Sequence, residues 1–349
     1  MLLGDEAGAA AERGLRKLLE HEHEALTETI ALALAADAVD AAGAAAALER
    51  LASSACVVAA DVAVAPKRGG VDSGLEYTRR YARTIAMPGE AKPLDVLYED
   101  DDILVVNKPA GLSVHPRHRF EAGALLNRAV AHLGGRAPNV VHRLDHPTSG
   151  VLVLGKSTVA ASGLAKQFRE RKVSKSYLAV TCAPPPDESA FEVDAPIARH
   201  PTDSKLSVVP SSPAEAEALN ARPSLTRFEV LELGPTGALC LASPVSGRMH
   251  QIRVHAELSG CPLAGDSQYG LQLQPTPPCA RLLLHAHSLE LMHPTAYRRV
   301  RFVAAPPLDF LQTMRTLGFG GLSARAAASI LSPEAVVWLD PADGSCAAT

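Results

Sequence analysis

The chain has 349 residues, of which 47% are hydrophobic and 21% are charged, and its formal net charge is −4. Such a length can bury one large core, or one core with a small appendage, and the composition is ordinary for a soluble globular protein. No apolar run approaches the eighteen residues of a membrane span, and the six cysteines are scattered without metal-ligand or redox spacing. We therefore expect reduced thiols, no membrane association and a cytoplasmic location, with an organelle or the nucleus left open.

The charge is unevenly distributed along the chain. Residues 1–90 carry 9 Lys and Arg against 14 Asp and Glu, whereas residues 103–302 carry 22 against 15. The second region therefore has a net charge of +7, although the whole chain is acidic. An excess of this size gives modest support for a polyanionic partner.

The first 91 residues are predicted to form an extension and linker. They are rich in Ala, Leu and Glu, and residues 9–19 and 31–51 have helical spacing, so this part is either helical or partly disordered. Its start has neither an apolar segment flanked by Lys or Arg nor an Arg- and Ser-rich run. We therefore expect neither a secretory signal nor a typical organellar transit peptide.

Residues 92–307 are predicted to form the main domain. Strands are expected at 96–98, 103–106, 140–141, 151–154, 173–181, 226–233, 238–242, 281–287 and 299–303, and helices at 122–133, 157–171 and 249–257. Many strands with few helices and no regular βαβ pattern predict a mixed α+β fold, with a mainly antiparallel mixed sheet flanked by helices. Residues 200–224 read as an excursion from the core, and residues 308–349 as a helix followed by a loose tail.

One carboxylate stands in a turn between two apolar runs. Asp145 follows Val140 and Val141 and precedes residues 151–154, and Pro147 and Gly150 mark the turn. A loop held between buried strands presents a side chain rigidly, which suits catalysis. The ordinary alternative is that Asp145 only satisfies backbone groups of its own turn.

The string from His142 to Gly150, His-Arg-Leu-Asp-x-x-Thr-Ser-Gly, resembles the signature of the RluA-type pseudouridine synthases. Further blocks resemble this family in its own order, at 97–100, 103–116, 168–177, 246–255, 265–270 and 281–286. The resemblance covers about residues 97–305. It implies the pseudouridine synthase fold and the isomerisation of uridine to pseudouridine in structured RNA, either ribosomal or transfer RNA.

The resemblance implies three catalytic residues. Asp145 would be the carboxylate that breaks the glycosidic bond, either through a covalent adduct at the sugar or by removing the C2′ proton. Tyr177 would stack on the uracil, and Arg253 would pair with the aspartate. Taken alone, a strand tyrosine and a helix arginine are more often structural.

The same resemblance implies a set of RNA contacts around a flipped uridine. Arg143 would help to fill the space that the base leaves, and Leu283 would belong to an apolar wall under the base, for which core packing is an equally good explanation. The remaining expected contacts are His142, Thr148, Lys108, Arg171, Lys175, Arg248, His250 and Gln251. Met249 stands where relatives usually carry Thr or Ser, which bears on the positioning of the substrate and not on the reaction type.

The isomerisation takes no electron or group from outside, so we expect no metal and no cofactor, and a monomer with RNA as its partner. Two alternatives stay open. Thirteen histidines, with pairs such as His285 and His287, are compatible with a metal-dependent hydrolase, although the sequence has neither His-Glu-x-x-His nor Cys-x-x-Cys. A catalytically inactive RNA-binding relative is the second alternative, and the presence of all three catalytic residue types argues against it.

Overall fold

The computed structural model describes residues 87–116, 121–275, 279–319, 322–330 and 335–339. The predictions for residues 1–86 lie outside this part. The described strands are β1 (Val96–Glu99), β2 (Ile103–Lys108), β3 (Asn139–Val140), β4 (Ser149–Gly155), β5 (Ser174–Val180), β6 (Ala190–Asp194), β7 (Ala198–Arg199), β8 (Ser207–Val208), β9 (Leu225–Leu233), β10 (Ala238–Pro244), β11 (Leu284–Met292), β12 (Arg299–Val303) and β13 (Val336–Leu339). The helices are α1 (Leu125–His132), α2 (Thr158–Arg169), α3 (Pro213–Ala218), α4 (Gln251–Leu258), α5 (Leu308–Thr316) and α6 (Ala324–Ile330), with a 3-10 turn at Leu271–Leu273.

Eleven of these strands form one sheet. Its main order is β1-β2-β4-β11-β5-β10-β9-β6; β3 pairs with β4, β12 with β11, and β13 with β12. Among the described strands, β4 and β11 pair in parallel and the other pairings are antiparallel. The expected mixed, mainly antiparallel sheet with few helices is therefore confirmed.

The centre of the sheet is buried on both faces. Every residue of β4 is buried, and so are the four aliphatic residues that begin β2. Strands covered on both sides read as continuous apolar runs, which is why residues 151–154 were recognisable. The loop that precedes β4 therefore starts from the most rigid part of the domain.

Two predicted segments differ from the structure near the C-terminus. Residues 281–287 were expected as a strand, but β11 begins at Leu284 and continues to Met292, where buried Leu289 and Leu291 alternate with more exposed polar residues. The loose tail is wrong for residues 324–330, which form α6. It is also wrong for residues 335–339, because β13 adds to β12 and the Trp338 ring packs edge-on against Tyr98. The described residues from 87 onward accordingly form one compact unit.

The excursion at 200–224 has short regular structure of its own. It carries β8, which pairs with β7 in a separate two-stranded sheet, and α3, whose first turn is capped by Ser212. Among the described residues, no helix combines the length and apolar character that crossing a bilayer requires.

Candidate active site

Asp145 lies on the loop between β3 and β4, and backbone hydrogen bonds fix the loop. The Asp145 carbonyl accepts from the Thr148 N–H at 3.1 Å, and the next carbonyl, of His146, accepts from the Gly111 N–H at 2.9 Å. Leu144 is buried in the core beside them. The carboxylate therefore projects from a turn that is held on both sides.

Lys108 supports this loop from within. Its ammonium is fully buried and donates to the carbonyls of Pro109 (2.9 Å), Leu112 (2.7 Å) and His146 (3.3 Å). Burial lowers the pKa of Lys108 to about 7, with a further lowering by Arg281 that Asp145 opposes. A buried lysine that binds three carbonyls does not fit the expected direct contact with RNA.

His142 also has a structural role. Its Nε2 accepts from the Val153 N–H at 3.0 Å, and its ring stacks on Phe168 with 4.5 Å between centroids. Burial, and then the charge of Lys175, lowers the pKa of His142 to about 3. His142 thus ties the start of the loop to β4 as a neutral imidazole, and it does not line the cleft described below.

The turn before α4 forms the facing side of the site. Gln251 is buried, and its Oε1 accepts from the Ser246 hydroxyl (2.6 Å) and the Arg248 N–H (3.1 Å), while its Nε2 donates to the Leu225 carbonyl. His250, at the start of the helix, has a left-handed backbone with φ 56°. The turn is thereby held against β9, and His250 is directed toward Asp145.

Arg253 stands between two carboxylates. Its Nη1 is 3.6 Å from Oδ2 of Asp145, whereas Asp266 binds its Nε and Nη2, both at 2.7 Å. Gln268 also accepts from Nη2 at 2.7 Å. Burial disfavours the charge on Arg253, but the bonds and charge of Asp266 outweigh this effect, so the pKa of Arg253 is raised. The expected pairing of Arg253 with Asp145 is present, but Asp266 is the closer partner.

His250 connects Asp145 to a buried tyrosine. Its Nε2 is 3.8 Å from Asp145 Oδ2, and its Nδ1 lies 2.9 Å from the Tyr269 hydroxyl. That hydroxyl also accepts from the Ser207 N–H at 2.8 Å, which links the site to β8. Burial lowers the pKa of His250 more than Asp145 raises it, so the ring is neutral at pH 7.

Two residues of β5 complete the site. Tyr177 is half-buried, and burial together with the charge of Asp145 raises the pKa of its phenol. Two positions earlier on the same strand face, Lys175 donates to the Ser246 carbonyl at 2.7 Å. Burial, and then Arg171, lowers the pKa of Lys175 to about 8. The strand thus places a neutral phenol beside a lysine that is largely cationic at neutral pH.

These groups meet in one open cleft. The cleft is lined by Arg143, Leu144, Asp145, Thr148, Lys175, Tyr177, Pro244, Ser246, Gly247, Arg248, His250, Gln251 and Ile252. It combines a carboxylate, a tyrosine ring, an apolar side and three cationic side chains. The Thr148 hydroxyl is buried here without a hydrogen-bond partner.

Eight of the thirteen residues predicted from the sequence line the cleft: Arg143, Asp145, Thr148, Lys175, Tyr177, Arg248, His250 and Gln251. Arg253 contacts Asp145 from behind it. Leu283 is fully buried with its N–H bonded to Ala264 and does not line the cleft, so the apolar side comes from Leu144, Pro244 and Ile252 instead. Arg171 is exposed beyond the end of α2 and likewise does not line it.

Sequence reasoning missed the parts played by Asp266 and Tyr269. Both lie in the Gly265–Gly270 block, whose resemblance to the family was recognised, but no role was assigned to either residue. One signal for Asp266 was present in the sequence. Asp266 directly follows Gly265 in a block that resembles the family, and the family resemblance also implies an arginine in the site, which needs a carboxylate partner. A carboxylate so close in sequence to a buried cation is a natural partner for it.

The histidine pairs have partners other than one another. His285 bonds to the Ser149 hydroxyl (2.8 Å) and the Ala304 carbonyl (2.9 Å), and His287 bonds to the same carbonyl at 3.0 Å. In the described ranges, no three His, Cys, Asp or Glu side chains group closely enough to hold a metal ion. The geometry at these histidines therefore gives no support to the metal-dependent hydrolase.

The family model, the relatives and the solved structure that resemble this chain are all described as pseudouridine synthases. A family model described as RNA pseudouridylate synthase matches residues 102–258. The chain is 38% identical over 249 residues to a ribosomal large subunit pseudouridine synthase D of Nitrosomonas europaea, covering 67% of this chain and 69% of that protein. It is 34% identical to an uncharacterized RNA pseudouridine synthase of Synechocystis, covering 62% and 67%. The structure of human RNA pseudouridylate synthase domain containing 1 is similar with a TM-score of 0.53 and 30% identity, covering 63% of this chain and 86% of that one.

Proposed function

Because the chain belongs to the RluA-type RNA pseudouridine synthases, isomerases that act on uridine in RNA, we propose that Asp145 is its catalytic carboxylate and ribosomal RNA its substrate. The observation that carries the assignment of Asp145 is its position in the cleft, 3.6 Å from the buried guanidinium of Arg253. The Nitrosomonas europaea relative, which supports ribosomal RNA, is named as an enzyme of the large ribosomal subunit.

The reaction needs one reactive carboxylate and a site that retains the cut base. The N1–C1′ bond breaks, the uracil turns while still bound, and C5 joins C1′. C5 then loses a proton and N1 gains one, so the product is an isomer of the uridine. Asp145 initiates this sequence as an ionised carboxylate, whether it attacks C1′ or removes the C2′ proton. Arg253 places a positive charge beside this carboxylate.

Tyr177 acts as a neutral ring. Since its pKa is raised, the phenolate is disfavoured, and we assign to Tyr177 stacking on the uracil and a hydrogen bond from its hydroxyl. The C5 proton then leaves to another acceptor. The nearby Asp145 carboxylate is suited to accept it once it has left C1′ or returned the proton that it took from C2′.

The cations at the cleft suit the RNA backbone. Arg143 and Arg248 are exposed and Lys175 is half-buried, and all three border the cleft. A uridine in folded RNA must leave its stack to bring C1′ to Asp145, and neighbouring phosphates then come close to these side chains. We propose that the cations hold the backbone while the base occupies the apolar side.

The test is an incubation of the purified chain with large-subunit ribosomal RNA and, separately, with transfer RNA, followed by base-resolution mapping of pseudouridine. A chelator selective for transition metals is present throughout. We expect new sites in the ribosomal RNA from the unmodified chain and none from Asp145→Asn. Sites in transfer RNA alone would replace the substrate, and sites in neither RNA, from a folded chain that binds them, would favour the inactive relative.

Three finer points belong to the same proposal. The isomerisation balances without an outside electron or group, which supports an enzyme without a cofactor. A monomer and a cytoplasmic location stay predictions. Gel filtration with light scattering tests the first, and fractionation of the source cell tests the second.

A further inference from the structure

The guanidinium of Arg253 makes four polar contacts with three side chains, and the contact with Asp145 is the longest of the four. Asp266 accepts two bonds of 2.7 Å and Gln268 a third, whereas the distance to Asp145 is 3.6 Å. Charge-assisted hydrogen bonds have lengths of about 2.7–2.9 Å, so the contact with Asp145 is an ion pair without a full hydrogen bond. The charge of Arg253 is therefore directed mainly at Asp266.

The carboxylate of Asp266 is held more firmly than that of Asp145, the other carboxylate beside Arg253. Its side chain is fully buried, while that of Asp145 keeps 18% of its surface exposed. Oδ1 of Asp266 also accepts from the N–H groups of Gln268 and Tyr269. Gly265, just before it, leaves no room for a side chain, since a Cβ there would lie 1.9 Å from the Arg281 carbonyl oxygen. The carboxylate is thus held by the backbone around it.

We infer that Asp266 is a positioning residue of the isomerisation: it orients the Arg253 guanidinium so that one N–H group faces Asp145, and it offsets most of the positive charge that Asp145 would otherwise experience. This inference rests on the proposed function, in which Asp145 reacts as a carboxylate. A catalytic carboxylate in a full salt bridge is a poor nucleophile and a poor base. An arginine shared with Asp266 places a positive charge beside Asp145 and leaves the lone pairs of its carboxylate accessible.

The other ionisable groups that face Asp145 do not supply this control. His250, 3.8 Å away, has a lowered pKa and is neutral at pH 7; Tyr177 and Tyr269 have raised pKa values and are neutral as well. Lys108 is buried behind the loop and bonded to carbonyls. Arg143, Lys175 and Arg248 line the same cleft, but none of them lies within 4.0 Å of the Asp145 carboxylate. Arg253 is accordingly the nearest charge to Asp145, and Asp266 governs it.

The substitution Asp266→Asn separates charge from geometry. An asparagine with its carbonyl oxygen at the Oδ1 position can keep the bonds that Oδ1 accepts, so the change removes the negative charge and the bond that Oδ2 accepts from Arg253 Nε. The assay is the single-turnover release of tritium from C5-labelled uridine in large-subunit ribosomal RNA, measured across pH. We expect the maximal rate to fall at least about tenfold, because misplacing a catalytic group is costly. We also expect the acid limb of the profile to move down by about one pH unit, because Arg253 then turns its charge to Asp145.

The position of the acid limb distinguishes a positioning role of Asp266 from a merely structural one. A slower variant whose acid limb stays in place would overturn the inference, because a loosened site loses rate without a change in the field at Asp145. An unchanged rate and profile would overturn it too, while leaving the proposed function intact. Absence of tritium release from the unmodified chain would instead contradict the proposed function.

Three further variants keep the test decisive. Gln268→Ala removes a neutral acceptor from Arg253 at an exposed residue, and we expect a rate loss of about threefold with the acid limb unmoved. Should Asp266→Asn fail to fold, Asp266→Glu replaces it: the charge is kept but the carboxylate is displaced, so the rate should fall about tenfold, and an unchanged rate would overturn the inference. Asp309→Asn is the matched control, because Asp309 pairs with Arg281 away from the cleft, and it should match the unmodified chain.

Discussion

Gly150 lies so close to Ala286 that a Cβ at Gly150 would be 2.1 Å from the Ala286 carbonyl oxygen. The two residues are opposite one another where β4 and β11 pair in parallel. Gly150 also has φ 115°, a backbone conformation that residues with a side chain rarely adopt. The loop that carries Asp145 therefore joins the sheet at a position where only glycine fits.

Replacement of Gly150 by alanine should be severe. We expect the free energy of unfolding to fall by at least about 2 kcal/mol, because strain in the backbone adds to a steric clash with β11. Gly111→Ala is the matched control: Gly111 has φ 72°, but nothing lies within 4 Å of its Cβ position. That variant should lose about 1 kcal/mol. Equal losses in denaturant unfolding would show that packing against Ala286 is unimportant.

Asp145→Asn should abolish isomerisation without disturbing the protein. Asparagine has the same shape but cannot attack a sugar carbon or remove its proton, so we expect the single-turnover rate to fall at least about a thousandfold. Thermal unfolding and RNA affinity should stay close to those of the unmodified chain. Asp203→Asn, in the exposed excursion, is the control and should keep full activity. Appreciable turnover by Asp145→Asn would contradict the mechanism.

The sequence predicted the sheet, the loop and most of the cleft because these depend on local patterns. Residues 151–154 form a continuous apolar run, and a strand buried on both faces requires one. The role of Lys108 was not predictable, since a lysine in a turn is ordinarily exposed and its three carbonyl partners depend on how distant loops pack. The partnership of Arg253 with Asp266 is likewise a tertiary contact, and β13 is a short edge strand that only its pairing with β12 identifies.

Substitution of Lys108 should lower stability, whereas substitution of Lys175 should lower RNA affinity. Lys108→Met leaves buried carbonyls without donors, so we expect the free energy of unfolding to fall by about 3 kcal/mol and the rate to fall with it, at unchanged RNA affinity. Lys175→Met removes a cation at the cleft, so RNA affinity should fall and become less dependent on salt. Unfolding and RNA-binding measurements on both variants test the contrast. A loss of RNA affinity in folded Lys108→Met would restore the direct contact first expected for it.

Thr148 should matter to the substrate more than to the fold. Its hydroxyl is buried in the cleft without a partner, and its side chain has 2% exposure. Thr148→Val keeps the shape, so we expect stability to stay level or rise by about 1 kcal/mol. The single-turnover rate should fall about tenfold, because the flipped nucleotide loses a hydrogen bond.

Thr226→Val provides the contrast for Thr148. The Thr226 hydroxyl bonds to His255 and Gln251, so that variant should lose about 1–2 kcal/mol of stability. A Thr148→Val variant with full activity would place the hydroxyl outside substrate recognition.

Acid should destabilise the protein through its buried histidines. Burial lowers the pKa of His285 to about 3, whereas imidazole in an unfolded chain titrates near 6.5. Between these values the unfolded state binds more protons than the folded state, so the free energy of unfolding declines as pH falls below 6.5. For His285, which is fully buried, the decline is about 1.4 kcal/mol per pH unit.

His285→Gln should therefore be less stable at pH 7 and yet lose less stability on acidification. Between pH values of about 6 and 4.5, its slope should be shallower than that of the unmodified chain by about 1.4 kcal/mol per pH unit. Ser149→Ala removes the hydroxyl that donates to His285 but keeps the imidazole, so it should lower stability at every pH without changing the slope. Urea unfolding at several pH values measures both. An unchanged slope in His285→Gln would mean that His285 accepts a proton in the folded protein as readily as in the unfolded chain.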